Sequence, residues 1–119
     1  GNNDPEALAA AANPKSAGPT NAVIKTVNGM NQRRLGGSDI IVSDLGLGTQ
    51  RWVSDDFNAP DEKNCYDFLD LAILKHGVNL LDTAEQYPIP SGGAKAKEGD
   101  SERLIGKWLN DRKGSVKRE

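Results

Sequence analysis

A mostly apolar run, Val78-Asn79-Leu80-Leu81, stops abruptly at Asp82-Thr83. That pattern predicts a parallel strand packed on both faces whose carboxyl end carries chemistry. The stretch before it has the helical period. Cys65, Phe68, Leu69, Ala72, Ile73 and His76 recur at three- and four-residue steps, so residues 58–76 are expected to form a helix with one inward face. Asn58 or Asp61 can cap its start, Pro60 and Glu62 suit its first turn, and Gly77 ends it as a left-handed cap. Ahead of it, residues 44–49 read as a short strand, with Gly46 and Gly48 where something must approach the backbone closely. Strand, helix, strand makes a βαβ unit, which implies parallel strands joined by a right-handed crossover.

On either side the pattern is weaker. Arg33-Arg34-Leu35 and Ile40-Ile41-Val42 flank Gly36-Gly37-Ser38-Asp39, the signature of a hairpin with a Gly-led turn. Residues 88–99 are rich in Pro and Gly and read as a mobile loop, and 100–109 form a capped helix facing inward through Leu104, Ile105, Trp108 and Leu109. Residues 110–119 continue as a polar turn, where Arg112, Lys113, Lys117 and Arg118 are expected on a solvated surface. At the other end, Asp4, Pro5, an alanine body and Asn13-Pro14 predict a short helix, marginal by itself at this length. Residues 14–30 have the composition of a linker, which puts a boundary near Gln32 between a flexible tail, 1–32, and a folded part, 33–119.

Composition narrows the functions open to such a chain. Its 119 residues suffice for one small domain and are few for an enzyme with its own cofactor cleft. Fifteen basic and seventeen acidic side chains leave a formal charge of −2, which gives no field for gathering nucleic acid. No apolar run approaches the roughly 20 residues of a membrane span, so a soluble chain is expected. One cysteine cannot make an internal disulfide, and no Cys or His pair has metal-ligand spacing. Gly1 in place of Met leaves a processed or excerpted start; the cytoplasm or an organelle, a plastid included, is the expected compartment.

The candidate chemistry lies where the strands end. An acid closing an apolar strand should need a cation or several donors when ionised, which singles out Asp82; the plainer reading is a cap on the following turn. Tyr87 follows five residues later, either a reactive phenol or an aromatic cover for the strand ends. Gly46-x-Gly48 suggests a dinucleotide fingerprint, but Arg51 holds the third glycine position and no helix opens after it, so that match is rejected. His76, the one histidine, sits in the last turn of a helix, where the dipole gives it a structural role.

Four motifs, Arg34-Leu35-Gly36, Leu45-Gly46-Leu47-Gly48-Thr49, Gly77-Val78-Asn79-Leu80-Leu81-Asp82-Thr83-Ala84-Glu85-Gln86-Tyr87 and Ser101-Glu102-x-x-Ile105-Gly106, together resemble the beginning of the aldo-keto reductase family over about residues 33–119. The resemblance implies an α/β fold: an N-terminal hairpin plus the first two β/α units of an eightfold β/α (TIM) barrel, incomplete in this chain. It implies hydride transfer from NADP or NAD in reduced form to a small aldehyde or ketone. Asp82 and Tyr87 would be two members of a catalytic Asp, Tyr, Lys, His tetrad whose Lys and His follow the third and fourth strands, past Glu119. Gly48 and Thr49 would lie beside the nicotinamide, with Arg51 and Asp82 also at the cofactor. Trp52 and Tyr87 would face substrate, although Trp52 serves equally as a lid over apolar surface.

The chemistry explains why four groups are needed. Negative charge develops on the carbonyl oxygen as hydride arrives, and a proton or fixed donors must meet it. A free phenol, with a pKa of about 10, is a weak acid at neutral pH and benefits from a neighbouring ammonium. Lys95 and Lys97 on the glycine-rich loop are expected in solvent rather than in that role. The alternative to an enzyme is a truncated, non-catalytic accessory subunit, ordered by the protein subunits of a larger assembly.

Overall fold

The structure is a computed structural model that describes residues 19–116. The alanine-rich helix expected at the amino end and the basic pair Lys117 and Arg118 lie outside those residues. Strand β1 (Val23–Val27) and strand β2 (Met30–Arg34) pair antiparallel, with Val27 opposite Met30. Asn28 and Gly29 between them both have positive φ, 50° and 86°, as a two-residue turn matched to the twist of a hairpin requires. Strand β3 (Ile41–Ser43) adds to β2 antiparallel, with Arg34 opposite Ile41, and the Gly-led turn expected there is present. Leu35 N–H donates to Ile40 O at 2.8 Å and Ser38 N–H to Leu35 O at 3.1 Å across it.

The linker reading of residues 14–30 therefore fails at β1, and Gln32 is no boundary. Gln32 is mid-strand, opposite Lys25 on one side and Ser43 on the other, and is buried. Its side-chain amide donates to Gly77 O at 3.0 Å, tying the sheet to the end of the first helix. Polar composition misled because β1 is an edge strand with mostly exposed side chains, so it does not need an apolar pattern.

Strand β4 (Leu47–Gly48) and strand β5 (Leu81–Asp82) form a parallel pair, Leu47 opposite Leu81 and Gly48 opposite Asp82. The connection between them carries helix α1 (Glu62–Leu69), continued by a π-helical stretch over Asp70–Lys75. Of the two caps considered, Asp61 is the one used. Its carboxylate accepts from Asn64 N–H at 2.8 Å while the Asn64 side chain accepts from Asp61 N–H, and Pro60 stays outside the helix. The wider turn is closed by bonds such as His76 N–H to Leu71 O, 3.1 Å. Gly77 then takes φ of +75°, as expected of the cap. A Cβ there would lie 2.5 Å from Val27 O, so the hairpin can seat against this corner only because the residue is glycine.

Helix α2 (Asp100–Asp111) lays Leu104, Ile105 and Trp108 against Trp52, Cys65 and Leu69, and these six make the core. Trp108 is fully buried, and its indole N–H donates to Asp70 Oδ1 at 2.9 Å. Arg112 closes the same carboxylate with two bonds of 3.0 Å and stacks over the Tyr66 ring. It is therefore not the solvated cation the sequence suggests. The expected dry strand over 78–82 also needs correction. Val78 is buried, but Asn79 is exposed and Leu80 is 41% exposed, because the described residues put protein on only part of that surface. Asn79 instead links the two sheets: its amide accepts from Ser43 N–H at 2.7 Å and donates to Ile41 O at 2.9 Å.

Candidate functional site

Parallel pairing puts the carboxyl ends of β4 and β5 side by side, and the loops that leave them form one pocket of about 430 Å³. Gly48, Thr49, Gln50, Arg51, Trp52, Pro60, Asp82 and Tyr87 line it. All six residues singled out in the sequence are thus brought together, although they come from two segments more than thirty positions apart. The cavity falls in the range of small-ligand sites. A larger, mainly apolar cavity of about 570 Å³ opens between the hairpin and α1, but His76 is the one titratable side chain in its wall. The smaller pocket is the candidate site because the polar groups converge there.

Each side chain is held differently. Thr49 is 1% exposed; its backbone N–H and its hydroxyl both donate to Asp82 O, at 3.2 and 2.8 Å, so Thr49 fixes the backbone from which the Asp82 carboxylate projects. Gly48 faces open space, with nothing within 4 Å of where a Cβ would sit. A flat ring can therefore lie against the backbone there. Arg51 pairs with Asp56 at the rim and stays more than half exposed. Trp52 is 5% exposed and its ring is part of the core, tilted against Phe68 at 6.1 Å, so little of it is open to the pocket.

Asp82 is exposed and Tyr87 half-buried. Neither side chain has a hydrogen-bond or ion-pair partner among the described residues. The cation expected beside Asp82 is not supplied by those residues. Lys95 and Lys97 are exposed on their loop. The backbone of Tyr87, by contrast, is well fixed: its N–H donates to Ala84 O at 3.0 Å, and its carbonyl accepts from Gly99 N–H at 2.8 Å and Ser101 N–H at 3.4 Å.

Two further residues shape this site without having been given a role by the sequence. Ser101, fully buried, shares its hydroxyl proton between Thr49 O at 3.2 Å and Trp52 O at 3.1 Å, binding the start of α2 to the pocket wall. Asp55 organises the loop expected to be mobile. Its carboxylate accepts from the backbone N–H groups of Gly93, Lys95 and Ala96, at 2.5, 2.9 and 2.8 Å. Those bonds, that from Lys95 above all, hold the acid below its ordinary range. Ser101 lay within a recognised motif without an assigned role, and an acid meeting a Gly-rich loop some forty residues later shows no periodicity to read.

Comparison with known proteins agrees with this geometry. The family model described as the aldo/keto reductase family matches residues 44–119, and the chain belongs to that family. Its members are oxidoreductases that generally use NAD(P)H. The protein named Tas of Escherichia coli strain K12 is 35% identical over 80 residues, covering 67% of this chain and 21% of that protein. Chloroplastic pyridoxal reductase of Arabidopsis thaliana is 33% identical over 76 residues, 61% of this chain and 19% of the plant enzyme. An uncharacterised 11.2 kDa protein of Pseudescherichia vulneris is 41% identical over 49 residues, 41% of this chain and 45% of that protein. The chain spans about a fifth of the length of the first two relatives. No solved structure matches it significantly. No helix among the described residues is long and apolar enough to cross a membrane.

Proposed function

We propose that this chain supplies the hairpin and the first two β/α units of an eightfold β/α barrel, and that its pocket is half of a centre reducing aldehydes or ketones with NADPH or NADH. The observation that carries the reading is the convergence of Gly48, Thr49, Arg51, Trp52, Asp82 and Tyr87 at the carboxyl ends of two parallel strands, the end where such barrels keep their chemistry. Open backbone at Gly48 and a cavity of about 430 Å³ fit a nicotinamide ring with a small carbonyl compound.

Gly48 and Thr49 form the floor against which the ring lies, with Arg51 and Asp82 at its margin. When bound, the reduced nicotinamide supplies the hydride. Tyr87 offers its hydroxyl, free of other partners among the described residues, to the carbonyl oxygen, first as a hydrogen-bond donor and then as the source of the proton. Asp82 supplies the negative charge that recruits and orients a cation next to that phenol, which favours proton loss from it. Trp52 walls the substrate side.

The test is oxidation of NADPH or NADH, followed by absorbance, in the presence of small aromatic and aliphatic aldehydes. The protein carrying this chain should turn them over and its Tyr87→Phe variant should not. Equal turnover by both would overturn the reading. A second reading, a non-catalytic subunit within a larger protein assembly, draws support from the apolar side chains left in solvent, Phe57 at 93% and Leu45 at 62% exposed. It requires no turnover by either form and co-purification of the chain with defined protein partners.

A further inference from the structure

The segment that follows Tyr87 is poorly equipped to hold itself in place. Pro88 and Pro90 have no N–H, so Ile89 alone can donate from 88–90, and it does so to Gln50 O at 2.8 Å. Further attachment must come from the other side of the pocket. Asp55 provides it twice. Its backbone N–H donates to Pro90 O at 3.0 Å, and its carboxylate gathers the three N–H groups of Gly93, Lys95 and Ala96. Gly92 N–H to Ala96 O, 2.8 Å, closes the loop around that carboxylate, and Ala96 is buried beneath it.

The fit is specific. A Cβ on Gly93 would stand 2.5 Å from Asp55 Oδ2, so the loop approaches the acid as closely as it does only because residue 93 is glycine. The loop then returns to Tyr87 through Gly99 N–H, which donates to the Tyr87 carbonyl. Residues 87–99 thus form a closed circuit, pinned at Tyr87 and clamped at Asp55. Asp55 does not line the pocket, and Tyr87 does.

We propose that Asp55 is a positioning residue: its carboxylate clamps the 88–99 loop and thereby fixes where the Tyr87 phenol stands across the pocket from Gly48 and Arg51. The clamp itself is independent of the reductase reading; only its kinetic consequence rests on that reading. Loss of the clamp lets the phenol sample several positions, and a displacement of about 1 Å at a reacting group can cost on the order of a hundredfold in rate.

Two tyrosines of this chain, their resonances assigned with the Tyr66→Phe and Tyr87→Phe variants, make the test internal. Tyr66 lies on α1 with its hydroxyl donated to Asp111, remote from the loop, so it reports on the fold, whereas Tyr87 reports on the clamp. In protein labelled with 3-fluorotyrosine, Asp55→Ala should shift or broaden the Tyr87 fluorine resonance and leave that of Tyr66 in place. Asp55→Asn, which keeps one accepting oxygen, should move the Tyr87 signal the same way by less. An unmoved Tyr87 resonance in Asp55→Ala overturns the proposal. So does joint movement of both resonances in Asp55→Asn, which would mean that the acid supports the whole fold. Where wild type reduces a carbonyl, Asp55→Ala should lower kcat about tenfold or more with KM for the nicotinamide cofactor unchanged. A wild type without turnover sinks the reductase reading, and the fluorine spectra still decide the clamp.

Discussion

The molecule contains two aspartate and tyrosine sets in contrasting circumstances. At the helical side, Asp70 accepts from the Trp108 indole and twice from Arg112, and Tyr66 donates to Asp111 at 2.6 Å. At the strand ends, Asp82 and Tyr87 have no side-chain partner among the described residues. The same chemical groups are consumed by structure in one place and left open in the other. Environment follows: Arg112 holds the Asp70 acid below its ordinary range, and burial, then the bond to Asp111, push the Tyr66 phenol up to about 12. The pair at the strand ends is the one the fold leaves unsatisfied, while its backbone is fixed by Thr49, Gly99 and Ser101.

The contrast breaks most visibly at Trp108. Trp108→Ala empties the centre of the core and leaves Asp70 short of a donor, so chemical denaturation should show a loss of about 3–5 kcal/mol. A loss below about 1 kcal/mol would mean that the helical side is not the scaffold. Next in size, Tyr87→Phe should lower any carbonyl turnover by about a hundredfold or more while changing stability by less than about 0.5 kcal/mol. Tyr66→Phe should do the reverse, sparing turnover; if it lowered turnover as Tyr87→Phe does, the assignment of the two phenols would be exchanged.

Smaller effects sharpen the same comparison. Asp70→Asn weakens a half-exposed ion pair and should cost about 1 kcal/mol after allowance for solvent screening. Because the Asp70 acid is lowered in the folded state, its stabilisation is present in full above the unfolded carboxylate range near pH 3.9 and is lost as pH falls through the lowered folded value. The thermal midpoint of Asp70→Asn should accordingly fall less steeply than that of wild type below about pH 4, and parallel curves would refute the linkage. Last, Cys65 is fully buried and burial pushes its thiol up to about 12, so thiol reagents should label it only as fast as the core opens. Rapid labelling of the native protein would show that α1 and α2 part readily.

Local chemistry explains which parts could be read beforehand. Period and caps marked α1, α2 and the Gly77 corner, and the abrupt stop at Asp82 marked the strand end, because each signal lies within a few residues of its effect. The β1–β2 hairpin carries a strong two-residue turn signal, Asn28-Gly29, masked by polar neighbours on an edge strand. Arg112 on Asp70, Asp55 on the 93–96 loop and Ser101 on two carbonyls depend on chain crossings of roughly forty to fifty residues. No pattern of spacing encodes such partners. Asp82, with Tyr87 close behind it, stands out from the strand end alone, the other four site residues come from the resemblance, and the fold adds that all six share one pocket.

The π-helical stretch at Asp70–Lys75 fixes the angle at which the chain enters the corner against the hairpin. Deleting a single residue there without a change of winding would turn all that follows by roughly a quarter of a turn about the helix axis. Counted from α1, Val78 would then take the station of Gly77 under Val27, where a side chain has no room. The length of this segment is therefore as constrained as its composition, and a one-residue deletion should unseat the hairpin unless tighter winding absorbs the lost residue.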